Sequence, residues 1–376
     1  MLASTSGSVA ETPANAVPAG SHWLDRVRSD YRVLDRADFA SFKGVRVMSS
    51  GPIAAKLMDG ITAEQVRPGV LIRALRRLPV VPDLLLAMKV LAKAGAKTAI
   101  IADGGDKASK LTCLLNSVLP LRRRKILMWE SHIQAEWPGK KKLVRRMLSG
   151  CDVVVVYSRQ LVQLQSEYLD LPPEKFVFLP YKANHSKQPP IAARLGDYIF
   201  SGGNSQRDYA TLCDAVRGTG IPVIISTTAP ETRRGLDVPP NVILVAAQEP
   251  HFARLMAGSR FVVLAIKPGI VVGAANASIC NAMWHSRAVI AADDVSLSDY
   301  VEDGVNGYAV AARDVENLRR RIVELWNDPA KAEAMGREGF ARVSQDKTHA
   351  HMMRRLLRTA GLLAANGAES GTPHAR

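Results

Sequence analysis

One group of residues in the second half of the sequence suits the binding of a phosphate group. Glycines let an anion approach the backbone, Arg and Lys supply positive charge, and free N–H groups at a helix start bind anions. The stretch SGGNSQRDY ends in the pattern of a helix, and a lysine and the segment GAANAS follow the apolar run RFVVLAI. We predict that these residues hold the diphosphate of an activated sugar. They are Gly202, Gly203, Arg207, Lys267, Asn276 and Ser278.

Three side chains in the first half could take a proton from a hydroxyl nucleophile. Asp103 lies in IIADGGD, and Glu130 and His132 lie in MWESH. Carboxylates and imidazoles are the usual general bases of enzymes. Helix capping by the two acidic residues, and an ordinary loop position for the histidine, are the structural alternatives.

Positive charge is concentrated in one segment of the sequence. The formal net charge is +15, and residues 120–146 contain nine basic residues against Glu130 and Glu136, a local excess of +7. Such a segment attracts phosphate-bearing partners, and we predict an anionic membrane surface as one of them. The alternative is a solvated basic face. Only Trp129 and Trp137 interleave with the charges, so no nucleic acid is expected as a partner.

The elements that must position these residues alternate between strands and helices. Short β-branched runs such as Val153–Val156 recur between helical patterns in both halves of the 376 residues. Runs that are apolar on both faces suit central parallel strands covered by helices. We therefore predict an α/β protein with two facing Rossmann-like, doubly wound domains. A cleft between them would collect the carboxyl ends of the strands, where ligands bind.

The predicted domain boundaries follow changes in composition. We expect a disordered leader over 1–20, an N-terminal acceptor-binding domain over 21–185, a C-terminal donor-binding domain over 186–345, and a final helix with a disordered tail over 346–376. An amphipathic helix is expected over 21–39, and one long helical stretch over 314–363. No signal peptide or spanning segment is evident, and the four cysteines lie far apart. These features predict a cytoplasmic protein.

Residues 197–345 resemble the donor-binding domain of GT-B-fold glycosyltransferases, in particular family 4 (group 1). The resemblance rests on SGGNSQRDYATL, FVVLAIKPG, NAMWHSRAVIAADD and SDYVEDGVNGYAV. Residues 126–181, with MWESH and CDVVVVYS, resemble the second part of the acceptor domain of that family. The resemblance implies a GT-B fold and a nucleotide-sugar co-substrate. It also implies that His132 matches the family histidine near the donor sugar. No metal is expected to be required, since cationic side chains and the helix dipole can stabilise the diphosphate.

The sequence departs from the family at its paired glutamates, spaced E-x7-E. They would fall at Gly273 and Asn281, and neither position carries a carboxylate. Asn281 can still donate and accept hydrogen bonds, so we assign it to the donor site. The departure predicts a diverged subgroup with altered donor contacts.

The predicted function is that of a hexosyltransferase. It would move a sugar from a nucleotide diphosphate sugar to a saccharide or a lipid-linked acceptor in polysaccharide or glycolipid biosynthesis. It would also bind peripherally at the inner face of the membrane. Two alternatives stay open: a nucleotide-sugar epimerase of the same fold, and an inactive GT-B-like partner subunit.

Overall fold

A computed structural model describes most of the chain. The described residues are 31–32, 42, 44–50, 61–119, 124–129, 138–230, 234–269 and 273–366. Glu130 and His132 lie outside them, as do the leader, the terminal tail and most of the helix expected over 21–39.

The first half forms a sheet of six parallel strands. Their order is β2-β1-β3-β4-β5-β6, and most of their side chains are fully buried. The apolar runs of the sequence account for five strands, whereas β2 (ITAEQ) is half-exposed at the sheet edge and was not expected. The strands are β1 Val45–Ser49, β2 Ile61–Gln65, β3 Thr98–Asp103, β4 Lys125–Trp129, β5 Val153–Val156 and β6 Phe176–Phe178.

Four helices cover one face of this sheet, and a short helix lies outside that layer. Asp106 and Ser158 cap two of the four by accepting backbone N–H groups, which satisfies donors that have no intrahelical partner. The apolar faces pack on side chains such as Ile100, Met128 and Val154. The helices are α1 Val70–Ala74, α2 Val81–Lys93, α3 Lys107–Val118, α4 Lys141–Ser149 and α5 Arg159–Leu169.

The second half forms another sheet of six parallel strands. Its order is β12-β11-β10-β7-β8-β9, so the chain winds in both directions from the centre. Strand β12 (GYAV) was not expected as a strand. The strands are β7 Ile199–Gly202, β8 Val223–Ser226, β9 Val242–Val245, β10 Val262–Leu264, β11 Val289–Ala292 and β12 Gly307–Val310.

Within the described residues, five helices flank the second sheet on its two faces. Buried side chains on α6 and α9 line one core and those on α7 and α8 line the other, and α10 contributes to both. These helices are α6 Tyr209–Val216, α7 His251–Ala257, α8 Asn276–Trp284, α9 Val315–Asn327 and α10 Pro329–Asp346. Short 3₁₀ helices occupy Pro138–Lys140, Pro173–Lys175, Asn184–Lys187 and Leu297–Asp299.

The end of the chain returns to the first domain. Helix α11, His349–Asn366, buries Met352, Leu356 and Ala360 against the face of the first sheet that α2–α5 leave uncovered. The single helical stretch expected over 314–363 is therefore three helices. Asp328 ends the first and caps the second, and α10 ends where the chain crosses between the sheets. No helix within the described ranges is long and apolar enough to span a membrane.

Candidate functional site

The strand order of the second sheet reverses between β7 and β10. The connections that leave these neighbours diverge at their carboxyl ends, and this divergence opens the crevice in which doubly wound sheets bind ligands. The backbone N–H of Lys267 donates to the carbonyl of Gln206 at 3.0 Å and holds the two loops together. The structure thus brings the predicted phosphate-binding residues to one place, which we call the switch crevice: residues 202–207, 265–267 and 273–278.

Gly203 must be a glycine in this crevice. Its φ is +120°, and a Cβ there would lie 2.7 Å from Nη2 of Arg207. The Tyr209 hydroxyl donates to the Gly203 carbonyl at 2.6 Å, and burial raises the pKa of Tyr209 to about 12. Gly202 is equally confined, since a Cβ would lie 2.6 Å from the Phe252 ring. The glycines therefore give a tight loop with its backbone close to the crevice.

Arg207 lies beneath the loop and has a different role from the expected one. Its side chain is only 6% exposed, and burial lowers its pKa. Nε donates to the Gly202 carbonyl at 3.0 Å, and Nη1 donates to the carbonyls of Ser205 and Ala274 at 2.8 and 3.1 Å. A guanidinium fixed in this way holds the glycine loop in place and leaves little capacity for contacting a phosphate. The assignment of Arg207 as a direct diphosphate ligand is therefore corrected to a positioning residue.

The start of helix α8 lies against the same loop. Nη2 of Arg207 donates to the Ser278 hydroxyl at 2.8 Å, so this hydroxyl is tied to the buried cation. Ala275 is the N-cap and has no side-chain oxygen, so it gives the first-turn N–H groups no side-chain acceptor. The α8 N-terminus thus supplies the donors and the positive dipole end that an anion needs.

Lys267 provides the accessible positive charge of the switch crevice. It follows β10 and is exposed. Its side chain makes no hydrogen bond or ion pair with any other residue that the structure describes. The exposure and charge of Lys267 are consistent with a contact to a phosphate, and this role of Lys267 stays a prediction.

The two asparagines assigned to the donor site are buried and hold backbone segments. Nδ2 of Asn276 donates to the Tyr157 carbonyl of the first domain at 3.4 Å, and its Oδ1 accepts the Ser296 hydroxyl at 2.7 Å. Oδ1 of Asn281 accepts the N–H of His185, in the segment that links the sheets, at 3.1 Å. Their hydrogen bonds differ from the expected contacts with a donor sugar, because backbone groups of other segments and the Ser296 hydroxyl occupy these amide atoms.

The first domain contributes Asp103 at the carboxyl end of β3. Its Oδ1 accepts the N–H of Gly105 at 2.7 Å, so the carboxylate also shapes its own loop. Asp106, which caps α3, accepts the Ser50 hydroxyl at 2.7 Å at the same edge. Asp103 remains a candidate base at the edge that ligands approach.

Sequence reasoning missed Asp294, which follows β11 near the crevice. Burial raises the pKa of this carboxyl, although the N–H of Ser296 donates to it and the Ser296 hydroxyl lies 2.7 Å from the same oxygen, which shares that hydroxyl with Asn276. Asp294 also interacts electrostatically with Arg207. The only signal in the sequence was its position at the end of the strand pattern RAVIAADD.

The two domains meet through side chains that the sequence did not single out. The Tyr300 hydroxyl donates to the Tyr157 carbonyl at 2.7 Å and accepts the N–H of Tyr181 at 2.8 Å. Arg159 forms an ion pair with Asp299, next to this contact. These bonds fix the first domain relative to the switch crevice.

Comparison with known proteins identifies the class of the second domain. Residues 218–328 match the family model described as "Glycosyl transferases group 1". Among solved structures, a glycosyltransferase from Rickettsia africae ESF-5 is similar with a TM-score of 0.60 and 13% identity, over 86% of this chain and 99% of that one. HepE from Anabaena, solved in complex with UDP, is similar with a TM-score of 0.57 and 15% identity, over 87% and 99% of the two chains.

TarM is similar over a smaller share of its own length. The TM-score is 0.56 and the identity 14%, and the match covers 74% of this chain and 58% of TarM. A sequence comparison with curated proteins finds no match. The two sheets thus have the two-domain GT-B architecture, and residues 218–328 of the second domain are similar to the group 1 glycosyltransferase model.

Proposed function

We propose that this protein transfers a hexosyl group from a nucleotide diphosphate sugar to an acceptor hydroxyl. One observation carries the proposal: the glycine loop, the start of α8 and the exposed Lys267 converge at the reversal point of a domain that matches the glycosyltransferase group 1 model. The known structure of HepE with UDP supports a nucleotide donor for this fold.

In the proposed reaction the bond between the sugar carbon and the diphosphate oxygen breaks. The acceptor oxygen forms the new bond to that carbon, and its proton leaves to a base. Lys267 and the N–H groups of α8 stabilise the negative charge that develops on the diphosphate, and no metal ion is needed for this step. Arg207 keeps the loop in position. Candidate bases are Asp103, Glu130 and His132, all assigned to the first domain.

The proposed acceptor is a saccharide. In its lipid-linked form it would be a substrate of polysaccharide or glycolipid biosynthesis. Activated sugars are cytosolic, so the protein would work in the cytoplasm at the inner membrane face. Several exposed cations on and beside α4 support an anionic partner, and one of them pairs with Asp170. These exposed residues are Lys140, Lys142, Arg145 and Arg146.

An assay of nucleotide-sugar turnover with and without acceptor tests the proposal. We expect nucleoside diphosphate release from a panel of donors to depend on the addition of a saccharide or lipid-linked acceptor. Conversion of the free nucleotide sugar into its epimer without acceptor would identify the epimerase instead. Failure to bind any nucleoside diphosphate would identify an inactive subunit.

A further inference from the structure

The first domain displays an unusual number of large apolar side chains on its surface. They lie on α1, on the turn that follows it and on α2, with Val70 78% and Leu71 70% exposed. Arginines alternate with them. We call this set the apolar–arginine surface: Val70, Leu71, Leu78, Val80, Val81 and Met88, with Arg67, Arg73, Arg76 and Arg77.

Local packing explains why these side chains remain outside. None of the residues of α1 is buried, and α2 already fills its place on the sheet with Ala87, Val90 and Leu91. The ammonium group of Lys89 donates to the Arg67 carbonyl at 2.9 Å and fixes the base of the segment. A group of exposed apolar side chains that the domain core does not use is typical of a surface that binds a partner or a membrane.

The charges of the surface indicate which kind of partner it binds. Residues 67–83 contain four arginines and a single acidic residue, Asp83. The nearest carboxylate on β2, Glu64, is paired with Arg46 and Lys93. Apolar side chains flanked by cations are the composition of segments that lie in the interface of an anionic bilayer, with aliphatic groups inserted and arginines at the headgroups.

The position of the surface connects it with the cleft. Helix α1 follows the carboxyl end of β2. Strands β2 and β3 are separated by two inter-strand spacings, about 10 Å. Asp103 stands at the same edge of the sheet, because parallel strands share their carboxyl edge.

We propose that the apolar–arginine surface docks on an anionic lipid bilayer and presents the carboxyl edge of the first sheet to the headgroup layer. The docking claim rests on this surface alone. Its consequence, that a lipid-linked acceptor enters from the bilayer, rests on the proposed function.

Vesicle flotation of the full chain tests the docking. Phosphatidylcholine vesicles with and without phosphatidylglycerol are the probes, at low and high salt. The variants are Leu71→Asp/Leu78→Asp and Arg76→Glu/Arg77→Glu. The matched controls are Ile243→Asp, an exposed apolar residue of β9, and Arg320→Glu/Arg337→Glu on the second domain.

We expect the parent protein to bind the phosphatidylglycerol vesicles at low salt and the controls to behave like it. Reversing two arginines to glutamates weakens partition at least about 30-fold, since each basic residue near an anionic leaflet contributes about fivefold and the added carboxylates are repelled by the leaflet. The apolar variant fails to bind at both salt concentrations. UDP affinity, measured on the same samples, is unchanged, so failure of docking and failure of the proposed function are distinguishable.

Three results would overturn the proposal. The first concerns vesicle binding itself: either the variants bind as well as the parent, or the parent does not bind. The second is a change of oligomeric state in the apolar variant, seen by sedimentation velocity, which would identify a second copy of the chain as the occupant. The third is a large loss of thermal stability in that variant, which would show that its own chain covers the surface.

Discussion

At the scale of single residues, the two cations of the switch crevice have separate tasks. Arg207 is enclosed by backbone carbonyls and Ser278, whereas Lys267 is exposed at the end of β10. A buried guanidinium with several acceptors contributes to the folded structure. For the exposed ammonium group of Lys267 we expect a contribution to ligand binding instead. The two substitutions should therefore affect different measurements.

Lys267→Ala should reduce sugar transfer about 100- to 1000-fold, because one cationic contact to the developing diphosphate charge is lost. The melting temperature should stay at the parent value, since the side chain is exposed. Steady-state turnover and thermal denaturation measure the two effects. Lys97→Ala, an exposed lysine at the opposite edge of the first sheet, is the control. Transfer within threefold of the parent would contradict the role of Lys267.

Arg207→Met should destabilise the fold by about 2 kcal/mol or more, because it leaves buried carbonyls of Gly202 and Ala274 without donors. Chemical denaturation measures the loss. Ser278→Ala, which removes only one acceptor of Arg207, should cost less. A variant of parental stability that has lost nucleotide binding would restore the original assignment of Arg207 as a phosphate ligand.

Sequence reasoning identified residue types at this site better than their partners. The glycines, Lys267 and the start of α8 were predictable because an anion site needs those types at the end of a strand. Arg207, Asn276 and Asn281 each bond to a backbone group 67 to 119 residues away, and no local pattern reports such partners.

At the scale of elements, the segment that links the sheets is fixed by a chain of histidines. The N–H of Ile191 donates to Nδ1 of His285 at 3.1 Å, so Nε2 of His285 carries the proton and donates to Nδ1 of His185 at 2.9 Å. Nε2 of His185 then donates to Glu249 at 2.8 Å. The His285 ring is neutral in this arrangement. Burial, with His185 and Arg287 nearby, lowers the pKa of His285 to about 4.

Acid should therefore destabilise the protein through His285. Its pKa in the folded state is below the unfolded value, so its contribution is present above about pH 6.5 and is lost as the pH falls towards about 4. At about pH 5 the loss is about 2 kcal/mol. Denaturant unfolding across this range measures the loss.

The glutamine of His285→Gln has a hydrogen-bond acceptor and a donor but does not titrate. The free energy of unfolding of this variant should therefore depend less on pH. Burial also lowers the pKa of His349, so a smaller dependence of the unfolding free energy on pH, of the same sign, should remain in this variant. The control His251→Gln, on the exposed start of α7, should keep the full slope. An unchanged slope in the His285 variant would exclude the histidine chain as its source.

Elements were predictable where the sequence is apolar on both faces. Val153–Val156 and its counterparts form the expected strands because only a central parallel strand buries every side chain. The edge strand β2 has mixed polarity and gave no such signal. The final helix α11 has an apolar stripe, which predicts that the helix is buried but does not indicate on which of the two sheets it packs. Its return to the first domain depends on tertiary packing.

At the scale of the whole molecule, the hydroxyl of Tyr300 bridges the domains. Tyr300→Phe removes the bonds to Tyr157 and Tyr181, and it should increase the rate of proteolysis in the linking segment 188–197. Tyr198→Phe, which removes one bond inside the second domain, is the control. Limited proteolysis with mass spectrometry measures the rates. Equal cleavage in both variants would show that other contacts hold the domains.

The central claim is that the switch crevice binds the diphosphate of a nucleotide sugar. Isothermal titration of the full chain with UDP, GDP and ADP, and with the corresponding nucleotide sugars, tests it most directly. We predict that at least one nucleoside diphosphate binds with one site per chain, and that Lys267→Ala weakens this binding at least about tenfold, a loss of about 1.4 kcal/mol, while Lys97→Ala does not. No binding by any of these nucleotides, or equal binding by Lys267→Ala and the parent, would contradict the claim.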